Sequence, residues 1–227
     1  MTGIIVSYDG TANENDAIAY GSLLAAAGAE VHLGYVRHSR ELVGDQEANE
    51  LLARGTALFD GRLAGAHTVT NRSTPEGLAG LSREIGAELV VFCSDSHTAP
   101  GHISIGNSAQ RLLDGGPVAV AIAPVALAEA AGGRPRVQRI VAVGEAGGDG
   151  SAQATARALA GALGAEVVPV ADESTDLLVI DSRKDAAPGR VSISSSASHL
   201  VEIAGCPVLV TPRGTALSFG RPAALSA

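Results

Sequence analysis

Two segments of this chain are close copies of each other. Residues 94–109 read SDSHTAPGHISIGNSA and residues 182–197 read SRKDAAPGRVSISSSA, and eight of the sixteen positions are identical at an offset of 88. An Ala-rich segment that ends at Val31 resembles another that ends at Val167, at an offset of 136. Since the two offsets differ by 48, the sequence predicts one structural unit present twice, with about 48 residues missing from the second copy.

The core of such a chain must be built from small aliphatic side chains. Hydrophobic residues make up 46% of the 227 residues, yet aromatic residues make up only 3% and tryptophan is absent. A core of Val, Ile, Leu and Ala is typical of a parallel sheet covered on both faces by Ala-rich helices. We therefore expect a folded α/β protein and not a disordered chain.

The charge pattern argues against nucleic acid as a partner. The net charge is −8, and residues 1–125 contain seven arginines against fourteen acidic residues. Neither half of the sequence has the basic stripe that a phosphate backbone requires. The first residues lack the basic and apolar regions of a signal peptide, and no apolar run reaches the ~18 residues of a membrane span. We expect a soluble, cytoplasmic protein with no membrane partner.

Short apolar runs alternate with helical segments along the first half. Strands are predicted at 3–9, 30–36, 88–93 and 117–123, and helices at 15–27, 41–65, from Ser73 onward and at 108–113. Ser73 and Glu76 have the spacing of a capping box. Alternation of this kind, with short Gly-rich turns, predicts right-handed βαβ units in a parallel sheet. Residues 1–125 are predicted to be a complete open α/β domain.

The second half repeats this pattern in a shorter form. Residues 138–213 contain predicted strands at 138–144, 166–170, 176–180 and 207–211, but the middle helix, strand and helix of the unit are missing. Residues 126–137, rich in Gly and Pro, are predicted to be a linker, and residues 214–227 a tail.

A ligand of an open parallel sheet binds beyond the carboxyl ends of the strands, where the strand order reverses. In the first unit this crevice would be lined by Asp9, Gly10, Val36 and the segment 93–108. The Asp9 carboxylate can accept hydrogen bonds from a ribose hydroxyl or an adenine amino group, and backbone N–H groups at a helix start favour phosphate. Asp9 could equally be a turn residue that caps the next helix.

The motifs IIVSYDGT, ELVVFCSDSH, GNSAQRLLDGG and PVAVAIAP together resemble the universal stress protein family. The resemblance covers residues 3–123 in full and 138–212 in part, so it implies a tandem member with a truncated second domain. It also implies an α/β fold of two Rossmann-like (adenine nucleotide alpha-hydrolase-like) open parallel sheets, the second lacking its middle helix–strand–helix. Members of this family dimerise through their last strand, and some bind ATP or AMP.

The nucleotide-binding members of that family carry the motif G-x2-G-x9-G-[ST]. In the first copy its four fixed positions fall on Cys93, Ser96, Gly106 and Asn107, so one glycine of three is kept. Loss of glycine matters because glycine lets the backbone approach a phosphate closely. Polar side chains nearby could still hold a nucleotide. The predicted binding residues are Asp9, Gly10, Val36, Ser94, Ser96, Gly106, Asn107 and Ser108.

The second copy departs further from the motif. Asp181, Lys184, Ser194 and Ser195 occupy the four positions, and Glu145 replaces Asp9. A carboxylate at position 181 would repel phosphate. The resemblance therefore implies that the second copy acts as an internal partner, with residues 207–211 pairing with 117–123 as in a family dimer. Further homo-oligomers of the whole chain remain open.

These features favour a non-enzymatic stress-response protein with a degenerate ATP or AMP site in its first domain. Two alternatives stay open: an adenine-nucleotide hydrolase that uses the same cleft, and a protein-interaction module without a nucleotide. No metal site is predicted, because His97 and His102 are loop histidines without a clear third ligand. Cys93 and Cys206 lack CxxC spacing and are expected to be reduced, buried thiols.

Overall fold

Nine strands form one continuous sheet in the order β3-β2-β1-β4-β5-β9-β8-β6-β7. The structure is a computed structural model that describes residues 1–11, 13–38, 43–59, 63–95, 97–130, 136–144 and 148–220. The strands are β1 Gly3–Ser7, β2 Glu30–Arg37, β3 Gly65–Thr70, β4 Leu89–Cys93, β5 Ala119–Ala123, β6 Arg139–Val143, β7 Glu166–Val168, β8 Leu177–Asp181 and β9 Val208–Thr211.

Helices cover both faces of this sheet. They are α1 Glu14–Ala26, α2 Val43–Leu58, α3 Thr74–Ile85, α4 Asn107–Leu113, α5 Leu127–Ala130, α6 Ser151–Leu163 and α7 Ser195–Ile203. Successive strand residues face opposite layers, so Ile4 belongs to the core cluster that includes α1 and α6, whereas Ile5 belongs to the cluster that includes α3 and α7. The predicted α/β fold with a mostly parallel sheet is confirmed.

The two halves of the sheet have the same strand order in mirrored positions. β1 is flanked by β2 and β4 in the first half, and β6 is flanked by β7 and β8 in the second. In both halves these pairs are parallel. The first half adds β3 beyond β2, while residues 169–176, which connect β7 to β8, contain no helix or strand.

The halves join where β5 pairs with β9, which is an antiparallel contact in a sheet whose other neighbours are parallel. Val120 lies opposite Val210, and Ile122 lies opposite Val208. At the offset of 88, Val208 is the equivalent of Val120 and Val210 is the equivalent of Ile122. Each contact is therefore repeated with the roles of the two strands exchanged, which is the pattern of an isologous two-fold interface.

The repeated sequence segments also make the same hydrogen bonds. The Ser94 hydroxyl donates to the Ala123 carbonyl oxygen at 2.8 Å, and the Ser182 hydroxyl donates to that of Thr211 at 2.6 Å. The N–H of Gly101 donates to the carbonyl oxygen of Val125, as the N–H of Gly189 does to that of Arg213, each at 2.8 Å. All four pairs of atoms are related by the offset of 88 residues.

Gly101 and Gly189 have positive φ angles of 78° and 72°. A β-carbon would strain the backbone in this region, so glycine is the residue that permits both turns. The repeat in the sequence thus preserves the residues that shape this loop.

Residues 214–220, predicted as part of a tail, return from β9 to the first half. The Leu217 side chain is buried, and its N–H donates to the Thr155 hydroxyl of α6 at 2.9 Å. The Thr2 hydroxyl donates to the Ser218 carbonyl oxygen at 2.7 Å, next to the start of β1. This segment therefore contacts both halves of the sheet.

Two local predictions differ from the structure. The helix predicted over 41–65 ends at Leu58, and Gly65–Thr70 forms β3 instead. Ser73 is the N-cap residue of α3, but its side chain does not make the capping hydrogen bond that the Ser73–Glu76 spacing predicted. Across the described residues, no helix is long and apolar enough to cross a membrane.

Candidate functional site

A cavity of about 260 Å³ opens at the carboxyl ends of β1 and β4. This is the edge where the strand order reverses between β1 and its two neighbours, and where ligands of open α/β sheets bind. Five of the eight predicted binding residues line it: Asp9, Ser94, Gly106, Asn107 and Ser108. The remaining walls include Ser7, Thr11, Glu14, Thr74, Phe92, Cys93 and Asp95.

Two predicted binding residues that the structure describes, Val36 and Gly10, are not among those that line the cavity. Val36 is buried in the core against α3, and its two methyl groups would lie 2.9 and 3.0 Å from a β-carbon on Gly77. Gly10 has a φ of 83°, and its N–H donates to the Glu14 carboxylate. Ser96 lies outside the described residues. Val36 therefore supports α3 from below and does not present its side chain to this cavity.

Glu14, which the sequence interpretation did not single out, organises the turn after β1. Its side chain is buried, and its two carboxyl oxygens accept hydrogen bonds from the backbone N–H groups of Asp9 and Gly10. Glu14 is in the first turn of α1, so it folds back over the turn that precedes its own helix. An acidic residue soon after an Asp-Gly turn was the available signal in the sequence.

The Glu14 carboxyl is protonated at neutral pH. Burial, with a hydrogen bond to the Asp9 carboxylate and the charge of that group, raises the pKa of Glu14 to about 9, although the two backbone N–H donors act in the opposite direction. Two carboxyl groups so close together share a proton more readily than they both ionise.

Ser94 and Asn13 hold the loops around the cavity in place. The Ser94 hydroxyl is committed to the carbonyl oxygen of Ala123. The Asn13 amide donates to the carbonyl oxygens of Ser94 at 3.3 Å and Asp95 at 3.0 Å. These bonds connect the start of α1 to the loop after β4, so both side chains shape the wall of the cavity.

The surroundings of the Cys93 thiol at the end of β4 raise its pKa. Burial, followed by the negative charges of Glu14 and Asp9, raises its pKa to about 12. Cys206 is also a free thiol with a pKa of about 12, because it is buried. A thiol that stays protonated at neutral pH is a poor nucleophile. Both thiols are free, as predicted; Cys206 is buried as expected, whereas Cys93 is only partly buried.

A second cavity of about 300 Å³ adjoins the first. Thr74, Asn107 and Ser108 line both, so the two cavities form one cleft along the edge of the sheet. Among the described residues, the second cavity is lined by the basic side chains of His38, Arg72 and Arg111 and by one acidic side chain, that of Glu76. Neither arginine was identified from the sequence, because they lie in separate loops and helices.

The equivalent position of the second half holds a buried carboxylate. Asp181, the equivalent of Cys93, is buried, and its carboxylate accepts a hydrogen bond from the Ala152 N–H at 2.5 Å. This carboxylate therefore occupies the start of α6. Ser194 caps α7 by accepting a hydrogen bond from the Ala197 N–H at 3.1 Å. Lys184 and Ser195 are exposed, and Glu145 lies outside the described residues.

Metal ligation finds no support in the described part of the chain. His97 and His102 are exposed, and no group of three or more His, Cys, Asp or Glu side chains there could hold a metal ion.

Comparison with solved structures identifies the fold class. The protein has the mostly parallel α/β fold of universal stress proteins. A universal stress protein from Archaeoglobus fulgidus DSM 4304 superimposes with a TM-score of 0.67 at 12% identity, covering 93% of this chain and 98% of that one. No family model matches this sequence, and no curated protein is similar to it.

Two further structures show the same fold at a similar level. A protein of unknown function from Pseudomonas aeruginosa PAO1 has a TM-score of 0.61 at 15% identity, covering 94% of this chain and 93% of that one. A protein assigned as a universal stress protein, from Pseudomonas aeruginosa UCBPP-PA14, has a TM-score of 0.59 at 15% identity, with 93% of each chain covered. At these identities the likeness concerns the fold.

Proposed function

We propose that this chain is a tandem universal stress protein that binds an adenine nucleotide in its first half and catalyses no reaction. The observation that carries the proposal is the cleft at the carboxyl ends of β1 and β4, in a fold shared with universal stress proteins. Its two cavities, of about 260 and 300 Å³, together lie in the range of ~300–1,000 Å³ common for small-molecule sites. The cytoplasmic location expected from the sequence stays a prediction.

The polar groups of the first cavity suit a nucleoside. Asp9 and Asp95 are exposed carboxylates on its wall, and carboxylates accept hydrogen bonds from ribose hydroxyls or an amino group. Asn107 and Ser108, which also line the cavity, can donate and accept hydrogen bonds. Phe92 contributes an apolar surface. One end of the cleft thus recognises hydroxyl and amino groups.

The same groups are poorly suited to catalysis. Cys93 stays protonated because of its raised pKa, so it does not act as a nucleophile. The Glu14 carboxyl is protonated but holds the N–H groups of Asp9 and Gly10, which fixes it within the turn. Its retained proton is nonetheless the feature that favours the hydrolase alternative, since a neutral carboxyl can act as a general acid.

We further propose that the second half is an internal dimer partner. The symmetric register of β5 and β9 supports this role, as do the equivalent hydrogen bonds of Ser94 and Ser182. The second half lacks the middle elements of the unit and fills the start of α6 with Asp181. On this proposal, residues 1–125 and 138–213 are the two domains, and the second completes an interface.

Calorimetric titration with adenosine, AMP and ATP tests the nucleotide proposal, with sulfate as a nonspecific anion. We expect saturable binding that weakens about tenfold or more in Asp9→Asn, because the amide is a weaker acceptor than the carboxylate. Asp114→Asn is the matched control, since Asp114 is exposed and bonds only to Gln110 through its side chain. No binding of any adenine compound would refute the proposal and favour an interaction module, whereas release of phosphate from ATP would favour the hydrolase.

A further inference from the structure

We propose that the basic cavity between α3 and α4 holds the phosphate of the bound nucleotide. This inference rests on the proposed nucleotide binding and assigns a specific place to the anionic end of the ligand. The basic cavity is the one lined by His38, Arg72 and Arg111, which adjoins the first cavity at Thr74, Asn107 and Ser108.

The charges of the cleft separate into two regions. The first cavity carries the exposed carboxylates of Asp9 and Asp95, while the described lining of the second carries two guanidinium groups and the carboxylate of Glu76. Residues 1–125 contain seven arginines against fourteen acidic residues, so two arginines in one small cavity are a local concentration of positive charge. A ligand with a neutral polar end and an anionic end matches this separation.

Both guanidinium groups are available for a ligand. Within the described chain, neither Arg72 nor Arg111 makes a hydrogen bond or an ion pair through its side chain, and both residues are exposed. Elsewhere arginines are engaged: Arg183 pairs with Asp185 at 2.5 Å, and Arg139 pairs with Asp172 at 3.3 Å. The planar fork of a guanidinium group binds phosphate oxygens with two parallel hydrogen bonds.

The start of α3 adds to this positive field. α3 has twelve residues, and its first turn, from Thr74, opens into the basic cavity. The Ser73 side chain makes no capping hydrogen bond, and the helix dipole places partial positive charge at this end. The His38 ring lies on the same wall, where its Nδ1 contacts the Asn71 carbonyl oxygen at 3.0 Å.

The loop after β4 is a less favourable place for phosphate. Cys93 stands at its first position in place of glycine, and the exposed carboxylate of Asp95 lies within the same wall. A carboxylate repels a phosphate at short range. A nucleoside monophosphate whose nucleoside lies beside Asp9 would therefore extend toward Arg72 and Arg111.

The test compares adenosine with AMP by calorimetric titration, in the intact protein and in Arg72→Gln, Arg111→Gln and the double variant. We expect AMP to bind more tightly than adenosine, each single substitution to weaken AMP binding about tenfold, and adenosine binding to stay unchanged. Because charge drives the preference, it should also decrease as salt is raised. Arg83→Gln is the matched control, since Arg83 is exposed in the last turn of α3, away from the cleft.

The possible results separate the two proposals. Equal binding of adenosine and AMP by the intact protein would overturn the phosphate site and leave the proposed nucleoside binding standing. An AMP preference that survives in the double variant would also overturn it, because the phosphate would then be held elsewhere. If neither compound binds, both proposals fail.

Discussion

Ala121 and Leu209 lie directly opposite each other in the antiparallel pair of β5 and β9, and they are equivalent residues of the two copies at the offset of 88. A residue that faces its own equivalent marks the centre of a two-fold contact. The pairs on either side, Val120 with Val210 and Ile122 with Val208, are exchanged by that two-fold relation. The register thus supports the proposal that the second half is an internal partner of the first.

We expect Leu209→Ala to lower the free energy of unfolding by about 2–5 kcal/mol, because Leu209 is fully buried and its loss leaves a cavity at the centre of this contact. Urea unfolding measures the change. Leu58→Ala, at a leucine that is 51% exposed, should change this free energy by less than about 0.5 kcal/mol.

One core cluster contains both Ala121 and Leu209, so we expect the two halves to unfold together. Two separate transitions would contradict this expectation.

The paired serines allow the equivalence of the two copies to be measured. Ser94→Ala and Ser182→Ala each remove a buried hydrogen bond to the end of the last strand of their own half. Each substitution should lower the free energy of unfolding by about 1–2 kcal/mol, with the larger cost at Ser182, whose hydroxyl also accepts a hydrogen bond from the Ser192 N–H at 3.2 Å. Ser196→Ala, at an exposed position in α7, is the control and should have little effect. A large cost at one serine with none at the other would show that the loops are not equivalent in energy.

The buried Glu14 carboxyl predicts how stability depends on pH. Its pKa is about 9 in the folded protein, against an ordinary value of 4.5, so between these values the folded state retains a proton that the unfolded state has lost. The contribution of Glu14 to stability is therefore greatest below about pH 4.5 and decreases as the pH rises toward 9, by at most about 1.4 kcal/mol per pH unit.

Glu14→Gln removes this titration, so we expect its stability to vary less over that pH range than that of the natural sequence. Urea unfolding at several pH values checks the slope. Glu84→Gln, which replaces an exposed carboxylate on α3, should retain the original slope. An unchanged slope in Glu14→Gln would mean that Glu14 is ionised in the folded state.

Both cysteines should react slowly in the folded protein. Their pKa values of about 12 leave little thiolate at pH 8, and thiolate is the reacting form. We expect a chromogenic disulfide reagent to label neither thiol rapidly in the native state and to label both after unfolding. Rapid native labelling of Cys93 would contradict the surroundings described for the end of β4. Cys93→Ser and Cys206→Ser variants would assign any labelling to one thiol.

Most strands could be predicted because a buried strand is a short apolar run. β3 was missed for a physical reason: it lies at the sheet edge, and its sequence GAHTVT alternates half-buried and exposed side chains. Nothing in this segment resembles the continuous apolar runs of β4 or β5. With β3 unrecognised, the preceding helix was extended through it to residue 65.

The part of the candidate site that lies at the ends of strands could be predicted from the sequence. Asp9, Ser94 and Gly106 meet because the carboxyl ends of β1 and β4 lie at one edge. The same rule led to the prediction of Val36 as a binding residue, but it does not determine toward which face of the sheet a side chain points. The role of Glu14 depends on how the turn folds back, and the meeting of Arg72 with Arg111 depends on how α3 packs beside α4. Such relations arise from tertiary packing.

The union of β5 and β9 within one chain has a consequence for how the protein behaves at low concentration. Two separate subunits that pair edge to edge come apart when they are diluted, since their association depends on how often they meet. Here the covalent chain fixes the effective concentration of each strand near the other. The contact therefore forms to the same extent in a single isolated molecule as in a crowded solution, and changes in expression level would not switch it on or off.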